Sequence, residues 1–349
     1  MKRNVITLFL VAALFFVPVF VLVGNHPQII EMERRPIAAF PQKPKSLAAN
    51  RIKKFFKEIE SYYSDRIPFR SAFIVIAEYI NKFGKIDINL DKCYTGKDNW
   101  LFLGNDYDHC IDTLVGTWKP SEEEEKSQLR FFMNVNDVIN EFGAEFYMII
   151  GPNKSSVYEE YLPPHIIPSE FKVSDKLVDN LKKHNIRIFN AIDCIKDNKK
   201  LGLLYYKTDT HWNALGAYVA LDGFFKEMFH AALPECTFTT ADKFYGDLVS
   251  IGGYRSFPVE EGDNVIAAWK DKDHVPVMDK TLLVLGDSFS LALMPYLESV
   301  FKDVHRVHYD QIIKNNDVGA LKTYLSSLEA KPDMVLWVQV ERIFAHWAM

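Results

Sequence analysis

The 349-residue chain carries 41 Lys and Arg against 46 Asp and Glu, and its net charge of −5 lacks the basic excess typical of nucleic-acid binders. With 48% hydrophobic and 25% charged residues, the composition is that of a globular protein and excludes a disordered, collagenous or coiled-coil chain. The length allows two domains or one large α/β domain with appendages.

An apolar run over residues 5–23 follows Lys2 and Arg3. It approaches the ~20 residues that a transmembrane helix needs and exceeds the ~7 to 15 of a signal-peptide core. The sequence therefore predicts a signal anchor over residues 1–24, with cleavage left open as the second alternative. The basic start favours a cytoplasmic amino terminus, so the remaining chain is expected to be membrane-anchored and periplasmic or extracellular.

Residues 25–46 lack apolar periodicity and are punctuated by Pro36, Pro41 and Pro44, which predicts a linker ahead of a domain over residues 47–349. Four cysteines follow in that domain, and an oxidising compartment permits two disulfides among them, with three alternative pairings. They are Cys93, Cys110, Cys194 and Cys236. Their spacing matches no zinc motif, so we expect no metal, and nothing indicates a cofactor.

In chain order, apolar periodicity first predicts helices over residues 52–63 and 73–80 and two short strands within residues 93–103. A capping box of Ser121 and Glu124 then predicts a helix that runs to about Phe142.

From that helix onward, predicted strands and helices alternate. Strands are predicted over residues 145–150, 186–189, 281–285, 304–308 and 334–340. Helices are predicted over residues 173–183, from Asn213 to 229, from Gly286 to 301, and between the last two strands. This alternation predicts an α/β fold with a mostly parallel sheet covered on both faces. The Gly-rich interval 234–278 is expected to be an irregular excursion over the active face.

Ser288 stands at the turn between a buried strand and a helix, directly after Gly286 and Asp287. Glycine permits a tight turn, and a helix amino terminus stabilises developing negative charge. Upstream, Asp209 and His211 stand two residues apart just before another helix. A hydroxyl nucleophile needs a base and a carboxylate that orients the base, so these residues supply a complete triad.

Neither motif is decisive alone, because Gly-Asp-Ser also occurs as an ordinary strand-to-helix turn and a histidine at a helix start is often structural. Both motifs fall at strand ends or helix starts, where α/β folds place ligand sites. Lesser candidates for contact with substrate or an oxyanion are Lys154, Tyr158, Trp212 and Arg342. Core packing is favoured for Trp212, and a surface ion pair of Glu341 with Arg342 is favoured over a site role there. A solvated Lys154 and a packing Tyr158 are equally open alternatives.

Several blocks, taken in order, resemble the AlgJ/AlgX family of alginate O-acetyltransferases in the SGNH hydrolase-like superfamily. The blocks are DRIPFR at 65–70, GKDNWLF at 96–102, PNKSSVY at 152–158, DTHW at 209–212, GDL at 246–248 and GDSFS at 286–290. Ordinary SGNH enzymes carry Gly-Asp-Ser near the start and Asp-x-x-His near the end. Here Asp-x-His precedes the serine, and this permuted order marks the AlgJ/AlgX branch.

The resemblance implies a three-layer SGNH hydrolase-like fold in which Ser288 accepts an acyl group, His211 is its base and Asp209 orients the histidine. It also implies acetyl transfer to hydroxyls of an exopolysaccharide, beside a multispanning membrane-bound O-acyltransferase that supplies acetyl. Because the chain ends at Met349, directly after the SGNH-like region, it is closer to the AlgJ type than to AlgX. The acceptor is therefore expected to be alginate or another cell-surface glycan.

Two other functions fit the same motifs. An acetylesterase would use the same triad with water as acceptor, and a polysaccharide-binding or scaffold subunit of an export complex would carry the triad without using it. The motif order argues against D-alanyl transfer to teichoic acid, which another anchored SGNH-like family performs.

Overall fold

The computed structural model describes residues 29–30, 35–43, 49–66, 91–254, 257–259, 261–271, 273, 275 and 277–346. The predicted anchor and the helix expected over residues 73–80 lie outside these ranges, as does half of the predicted linker. Within the described ranges, no helix combines the length and apolar character needed to cross a bilayer. The chain forms two compact units, residues 1–88 with 253–256, and residues 89–252 with 257–349.

In the smaller unit, strands β1 (Ile29–Ile30) and β2 (Arg35–Pro36) pair antiparallel, and helix α1 spans Ala49–Arg66. The helix confirms the periodicity predicted over residues 52–63. Its last turn is tied to Ala38, because the Asp65 carboxylate accepts a hydrogen bond from the Ala38 N–H at 2.8 Å. The Arg66 guanidinium donates to the Ala38 carbonyl at 2.8 Å and lies 3.6 Å from the centroid of the Tyr62 ring.

The larger unit is built on a five-stranded sheet in the order β10-β9-β11-β5-β6, in which every neighbouring pair is parallel. The strands of this unit are β3 (Cys93–Thr95), β4 (Leu101–Leu103), β5 (Glu145–Gly151), β6 (Arg187–Asn190), β7 (Cys236–Thr240), β8 (Val265–Trp269), β9 (Met278–Gly286), β10 (Phe301–Val307) and β11 (Met334–Val340). The five predicted strands are thus confirmed, and the sheet is parallel as expected.

Helices cover both faces of this sheet. The described helices of the larger unit are α2 (Cys110–Val115), α3 (Glu122–Glu141), α4 (Lys154–Val157), α5 (Val173–Lys183), α6 (Ile192–Asp197), α7 (Ala214–Phe229), α8 (Asp247–Ile251), α9 (Met294–Val300), α10 (Tyr309–Ile312), α11 (Val318–Ser327) and α12 (Glu341–His346). Short 3₁₀ helices span Lys97–Asn99, Glu159–Tyr161, Lys199–Leu201 and Ser288–Leu293.

Successive residues of the central strand β11 pack into different cores, which explains why its sequence is apolar except for the buried Gln339. Trp337 packs beside Phe132 of α3, with ring centroids 5.6 Å apart, in the core shared with α5 and α11. Val338 joins the opposite core, which includes Phe224 of α7 and Leu297 of α9. This arrangement confirms the three-layer α/β fold.

Two helix starts form as their sequences predict. Ser121 and Glu124 make a reciprocal capping box at the start of α3, and the Asn213 side chain caps α7 by accepting from the Gly216 N–H at 3.0 Å. The first of these fixes a helix on one face of the sheet. The second fixes the start of α7 just behind His211.

Two antiparallel pairs lie outside the main sheet. The pair β3 with β4, joined through Lys97–Asn99, was predicted from the sequence. The pair β7 with β8 was not, because we expected residues 234–278 to be irregular. Residues on these two strands are mostly half-exposed or exposed, so apolar alternation gave little signal. The segment between them contains α8, which lies at the candidate site.

All four cysteines lie in the described part of the chain and form no disulfide with one another. Cys110 is buried, and desolvation raises the pKa of its thiol to about 12. Desolvation also raises the pKa of Cys194 to about 11, and its thiol contacts the Val219 carbonyl at 3.4 Å. The two disulfides that the sequence permits are therefore not formed in this structure.

Candidate active site

Ser288 follows the carboxyl end of β9 and begins a 3₁₀ helix, so its exposed side chain lies at the edge of the sheet. Asp287 holds this turn, since its buried carboxylate accepts from the Phe289 N–H at 2.9 Å and the Val340 N–H at 2.8 Å. Gly286 is required because a Cβ there would lie 2.5 Å from the Cβ of Ser290. The single helix expected after Gly286 is instead a 3₁₀ helix followed by α9.

The structure brings the three predicted triad residues together. The Nε2 atom of His211 lies 2.7 Å from the Ser288 hydroxyl oxygen, and its Nδ1 atom lies 2.6 Å from the Asp209 carboxylate. The same Asp209 oxygen accepts from the His211 backbone N–H at 3.0 Å. These distances fall within the ~2.6–3.2 Å over which a base can take a proton from a nucleophile.

Asp209 is arranged to remain a carboxylate. Burial acts to raise its pKa, but hydrogen bonds from His211 and from the Asp247 N–H outweigh burial and lower the pKa below its ordinary value. The Asp247 N–H donates to the second carboxylate oxygen at 2.9 Å. An ionised Asp209 can stabilise the imidazolium that forms when His211 takes a proton.

Asp247, which was not among the predicted site residues, lies beside the triad as the first residue of α8. Its carboxylate accepts from the Thr210 N–H at 2.8 Å and the Thr210 hydroxyl at 2.7 Å, and it lies 4.0 Å from His211 Nδ1. Burial and the nearby Asp209 charge raise its pKa. Gly246 permits this approach, because a Cβ there would lie 2.3 Å from the Thr208 carbonyl oxygen.

Lys154, predicted as a substrate or oxyanion contact, is instead buried beneath the triad loop with 4% of its surface exposed. Its amine donates to the backbone oxygens of Tyr206, Lys207 and Asp209 at 3.0, 2.9 and 2.6 Å. These three acceptors match the three N–H donors of an ammonium group. Burial lowers the pKa of Lys154 to about 7. The prediction of a glycan contact is wrong because the amine is enclosed by backbone.

Tyr158 and Trp212 are also enclosed, so neither can stack on a sugar. Trp212 is 1% exposed, and its indole N–H donates to the Phe289 carbonyl at 3.1 Å. The Tyr158 hydroxyl accepts from the Leu204 N–H at 2.9 Å. The favoured alternative for Trp212, core packing beside His211, is confirmed.

Arg342 is the lesser candidate that lies near the nucleophile turn. Its guanidinium carbon is 5.9 Å from the Phe289 ring centroid, and its Nε lies 3.9 Å from the Asp108 carboxylate. Glu341 faces inward and accepts from the Asn153 N–H at 2.8 Å, so the surface ion pair of Glu341 with Arg342 was a wrong alternative.

Arg306 of β10 is a second residue that the sequence analysis missed. Its Nε donates to the Ser290 hydroxyl at 2.6 Å, and its terminal nitrogen donates to the carbonyls of Asp287 at 2.8 Å and Gly286 at 3.2 Å. Arg306 lies on β10, the strand beside β9, and from there it holds the turn that carries Ser288.

Asp209, His211 and Asp247 offer three metal-ligating atoms within 4.8 Å of one another. A metal at these atoms would have to replace the hydrogen bond between Asp209 and His211 and those from the backbone N–H groups. The donor set is therefore better suited to orienting an imidazole than to holding a cation. The arrangement as built can activate the Ser288 hydroxyl as a nucleophile.

Comparisons with known proteins find similar sequences and similar folds. Residues 93–258 match the family model described as SGNH hydrolase-like domain, acetyltransferase AlgX. The matched segment contains Asp209, His211 and Asp247, and it ends before Ser288. This part of the chain is therefore similar to SGNH hydrolase-like domains.

A curated relative, probable alginate O-acetylase AlgJ of Pseudomonas syringae pv. tomato, is 23% identical over 173 residues, which are 48% of this chain and 41% of that protein. A second, probable alginate O-acetylase AlgJ of Pseudomonas putida, is 26% identical over 132 residues, 36% of this chain and 31% of that protein. The chain thus spans less than half the length of the curated relatives it matches.

Solved structures share the fold. The O-acetyltransferase domain of Pseudomonas putida AlgJ superposes with a TM-score of 0.52 at 20% identity, covering 73% of this chain and 92% of that one. Bacillus cereus PatB1 with a sulfonyl adduct gives a TM-score of 0.51 at 17% identity, covering 73% and 96%. Together with the family model and the curated relatives, these matches confirm the resemblance to the AlgJ/AlgX family.

Proposed function

We propose that this chain is an O-acetyltransferase that moves an acetyl group through Ser288 to a hydroxyl of a polysaccharide. The observation that carries the proposal is the continuous hydrogen-bond chain from Asp209 through His211 to an exposed Ser288 hydroxyl, with links of 2.6 and 2.7 Å. The AlgJ/AlgX resemblance supplies the acetyl group and the glycan acceptor as the chemical classes of the two substrates.

The reaction has two matched halves. His211 Nε2 takes the Ser288 proton as Oγ attacks the carbonyl of an acetyl ester or thioester, and the leaving group departs with that proton. An acetyl-serine ester remains. An acceptor hydroxyl then gives its proton to His211 and attacks this ester, and the proton returns to Ser288 Oγ as the serine is released. Asp209 stabilises the imidazolium in both halves.

The second candidate function is an acetylesterase. The exposed position of Ser288 favours it, because water can reach the acetyl-serine whenever no acceptor is bound. The two functions share the first half-reaction and differ only in the acceptor, so turnover must be compared with and without glycan.

We also propose that the apolar run at residues 5–23 anchors the chain and that the Ser288 domain works outside the cytoplasm. A multispanning membrane-bound O-acyltransferase would then supply acetyl from the cytoplasmic side. These proposals rest on the sequence and on the family resemblance.

The test measures how fast the full-length chain in detergent cleaves p-nitrophenyl acetate and whether the acetyl group passes to water or to an acceptor. Ser288→Ala and His211→Ala should each lower turnover by at least about a thousandfold, whereas Asp209→Asn costs less because it disturbs the imidazole without removing the base. Ser326→Ala, on the surface of α11, is the matched control. Full activity in Ser288→Ala would refute the proposal. If added polysaccharide becomes acetylated and less free acetate is released, transfer is favoured over hydrolysis.

A further inference from the structure

A groove with a cavity volume of about 310 Å³ lies between the hairpin of β7 and β8 and the start of α9. We call it the aromatic groove, and its main lining residues are Tyr206, Ala214, strand β8, Ala292 and Tyr296. None of its described lining residues is charged. Its volume lies at the lower end of the ~300–1,000 Å³ typical of small-molecule sites, which suits one or two sugar rings better than a long acyl chain.

Both walls of the aromatic groove come from the segments that carry the triad. On one side, Tyr206 is paired with His211, since its N–H approaches the His211 carbonyl at 3.4 Å. On the other, Ala292 lies in the same 3₁₀ helix that Ser288 begins. A ligand in the groove would therefore contact the two segments that carry His211 and Ser288.

Aromatic side chains give the groove surfaces suited to sugars. Trp269 ends β8 and meets the Tyr296 ring edge-to-face at 5.7 Å between centroids, while Tyr206 lies across from them and packs on Phe244 at 4.3 Å. Aromatic rings cover the C–H faces of sugars, and the half-buried Tyr206 and Trp269 also carry polar edges that can meet sugar hydroxyls.

The lining of the aromatic groove disfavours an anionic ligand. Its described residues include no Lys, Arg or His that could pair with a carboxylate. Lys154 is enclosed by three carbonyls and cannot supply that charge. A uronate carboxylate in the groove would lose its hydration without gaining an ionic partner, which costs free energy.

We propose that the aromatic groove is the acceptor subsite and that it binds an uncharged sugar residue, so the natural acceptor is a glycan whose unit beside the acetylated hydroxyl is neutral and not a uronate. This inference rests on the proposed function and narrows its substrate class.

Binding is measured by calorimetry on the full-length Ser288→Ala chain in detergent. The probes are neutral pentasaccharides of β-1,4-linked glucose, mannose or N-acetylglucosamine, compared with a pentamer of mannuronate. At least one neutral probe should bind at least about tenfold more tightly than the mannuronate pentamer. The subsite is overturned if the mannuronate pentamer binds more tightly or if no neutral probe binds.

Variants then locate the binding. Trp269→Ala should weaken it roughly tenfold and Trp269→Phe much less, because a ring remains to stack. Ala268→Gln adds bulk at an exposed position of the groove and should weaken binding without removing a core contact. Phe171→Ala, an exposed aromatic residue outside the groove, is the matched control. Unchanged affinity in both Trp269→Ala and Ala268→Gln would place the sugar elsewhere and overturn the assignment.

The proposed function and the neutral acceptor subsite can be rejected independently of each other. If the wild-type chain is not acetylated by p-nitrophenyl acetate, the proposed function fails whatever the calorimetry shows. If Ser288 is acetylated but the neutral probes do not bind, only the neutral acceptor subsite is rejected.

Discussion

The buried amine of Lys154 donates a hydrogen bond to the backbone oxygen of Asp209 at 2.6 Å. The residue at the carboxyl end of β5 thereby holds the loop that carries the acid and base of the triad. Lys154 touches no reacting atom, so it is a positioning residue whose effect reaches Ser288 through Asp209 and His211.

We expect Lys154→Met to lower the free energy of unfolding by about 3 kcal/mol, since buried carbonyls that lose their donor cost about 1–3 kcal/mol each. The catalytic rate should also fall because the Asp209 loop loses its support. Chemical denaturation and ester turnover measure both effects. Lys176→Met is the control, because the Lys176 amine pairs with Glu125 at the surface. Equal stability of the two variants would show that Lys154 does not hold the loop.

Protonation of the Asp209 carboxylate makes the free energy of unfolding depend on pH. Its folded-state pKa is depressed by hydrogen bonds from His211 and the Asp247 N–H despite burial, so the unfolded chain binds its proton first as the pH falls. Its contribution is complete above the unfolded pKa of ~3.9 and is lost as pH falls through the lower folded value. The stability gap between wild type and Asp209→Asn, measured by urea unfolding, should be constant from pH 7 to 5 and shrink below about pH 4. A gap that persists unchanged at pH 3 would contradict the depressed pKa.

Asp247→Asn should lower kcat about tenfold, or about 1.4 kcal/mol, with little change in KM. The carboxylate accepts from both the N–H and the hydroxyl of Thr210, whereas an amide would turn its NH₂ group toward one of these donors. Steady-state kinetics with the acetyl ester test this, with Asp242→Asn on the exposed surface as control. An effect confined to KM would mean that Asp247 meets the substrate instead of orienting the triad loop.

Substitution of Arg306 is expected to lower kcat and spare KM, as substitution of Asp247 does. Its planar guanidinium serves three acceptors behind the Ser288 turn, and a lysine amine cannot reach all three with the same geometry. Arg306→Lys should therefore lower kcat by about tenfold and leave KM unchanged, and Arg306→Ala should be worse. Arg130→Lys, on an exposed position of α3, controls for loss of a guanidinium. Wild-type kcat in Arg306→Ala would remove the positioning role.

The sequence correctly predicts those elements that are specified by a few neighbouring residues. The apolar run of β11 and the capping box of Ser121 and Glu124 each specify an element within a few residues, and both formed as predicted. The pair of Asp209 and His211 was also predicted, because the two residues are only two positions apart and precede a capped helix. Ser288 could be added because strand ends of a parallel sheet share one edge.

Other parts of the site depend on contacts between distant segments, which residue patterns do not encode. Arg306 lies on a partly exposed strand, and only the pairing of β10 with β9 brings it behind the Ser288 turn. Asp247 lies in a Gly-rich interval without periodicity. Lys154 follows a strand end like a substrate-binding residue, and nothing in its sequence context shows that three carbonyls enclose it.

The most direct test of the account is peptide mass spectrometry of the full-length chain after brief incubation with p-nitrophenyl acetate and acid quench, with Ser288→Ala and Ser290→Ala alongside. The account predicts one added acetyl group, of about 42 Da, on the peptide that carries Ser288, present in wild type and absent from Ser288→Ala. Its appearance at Ser290 or another residue, or turnover that continues in Ser288→Ala, would contradict the acetyl-serine mechanism.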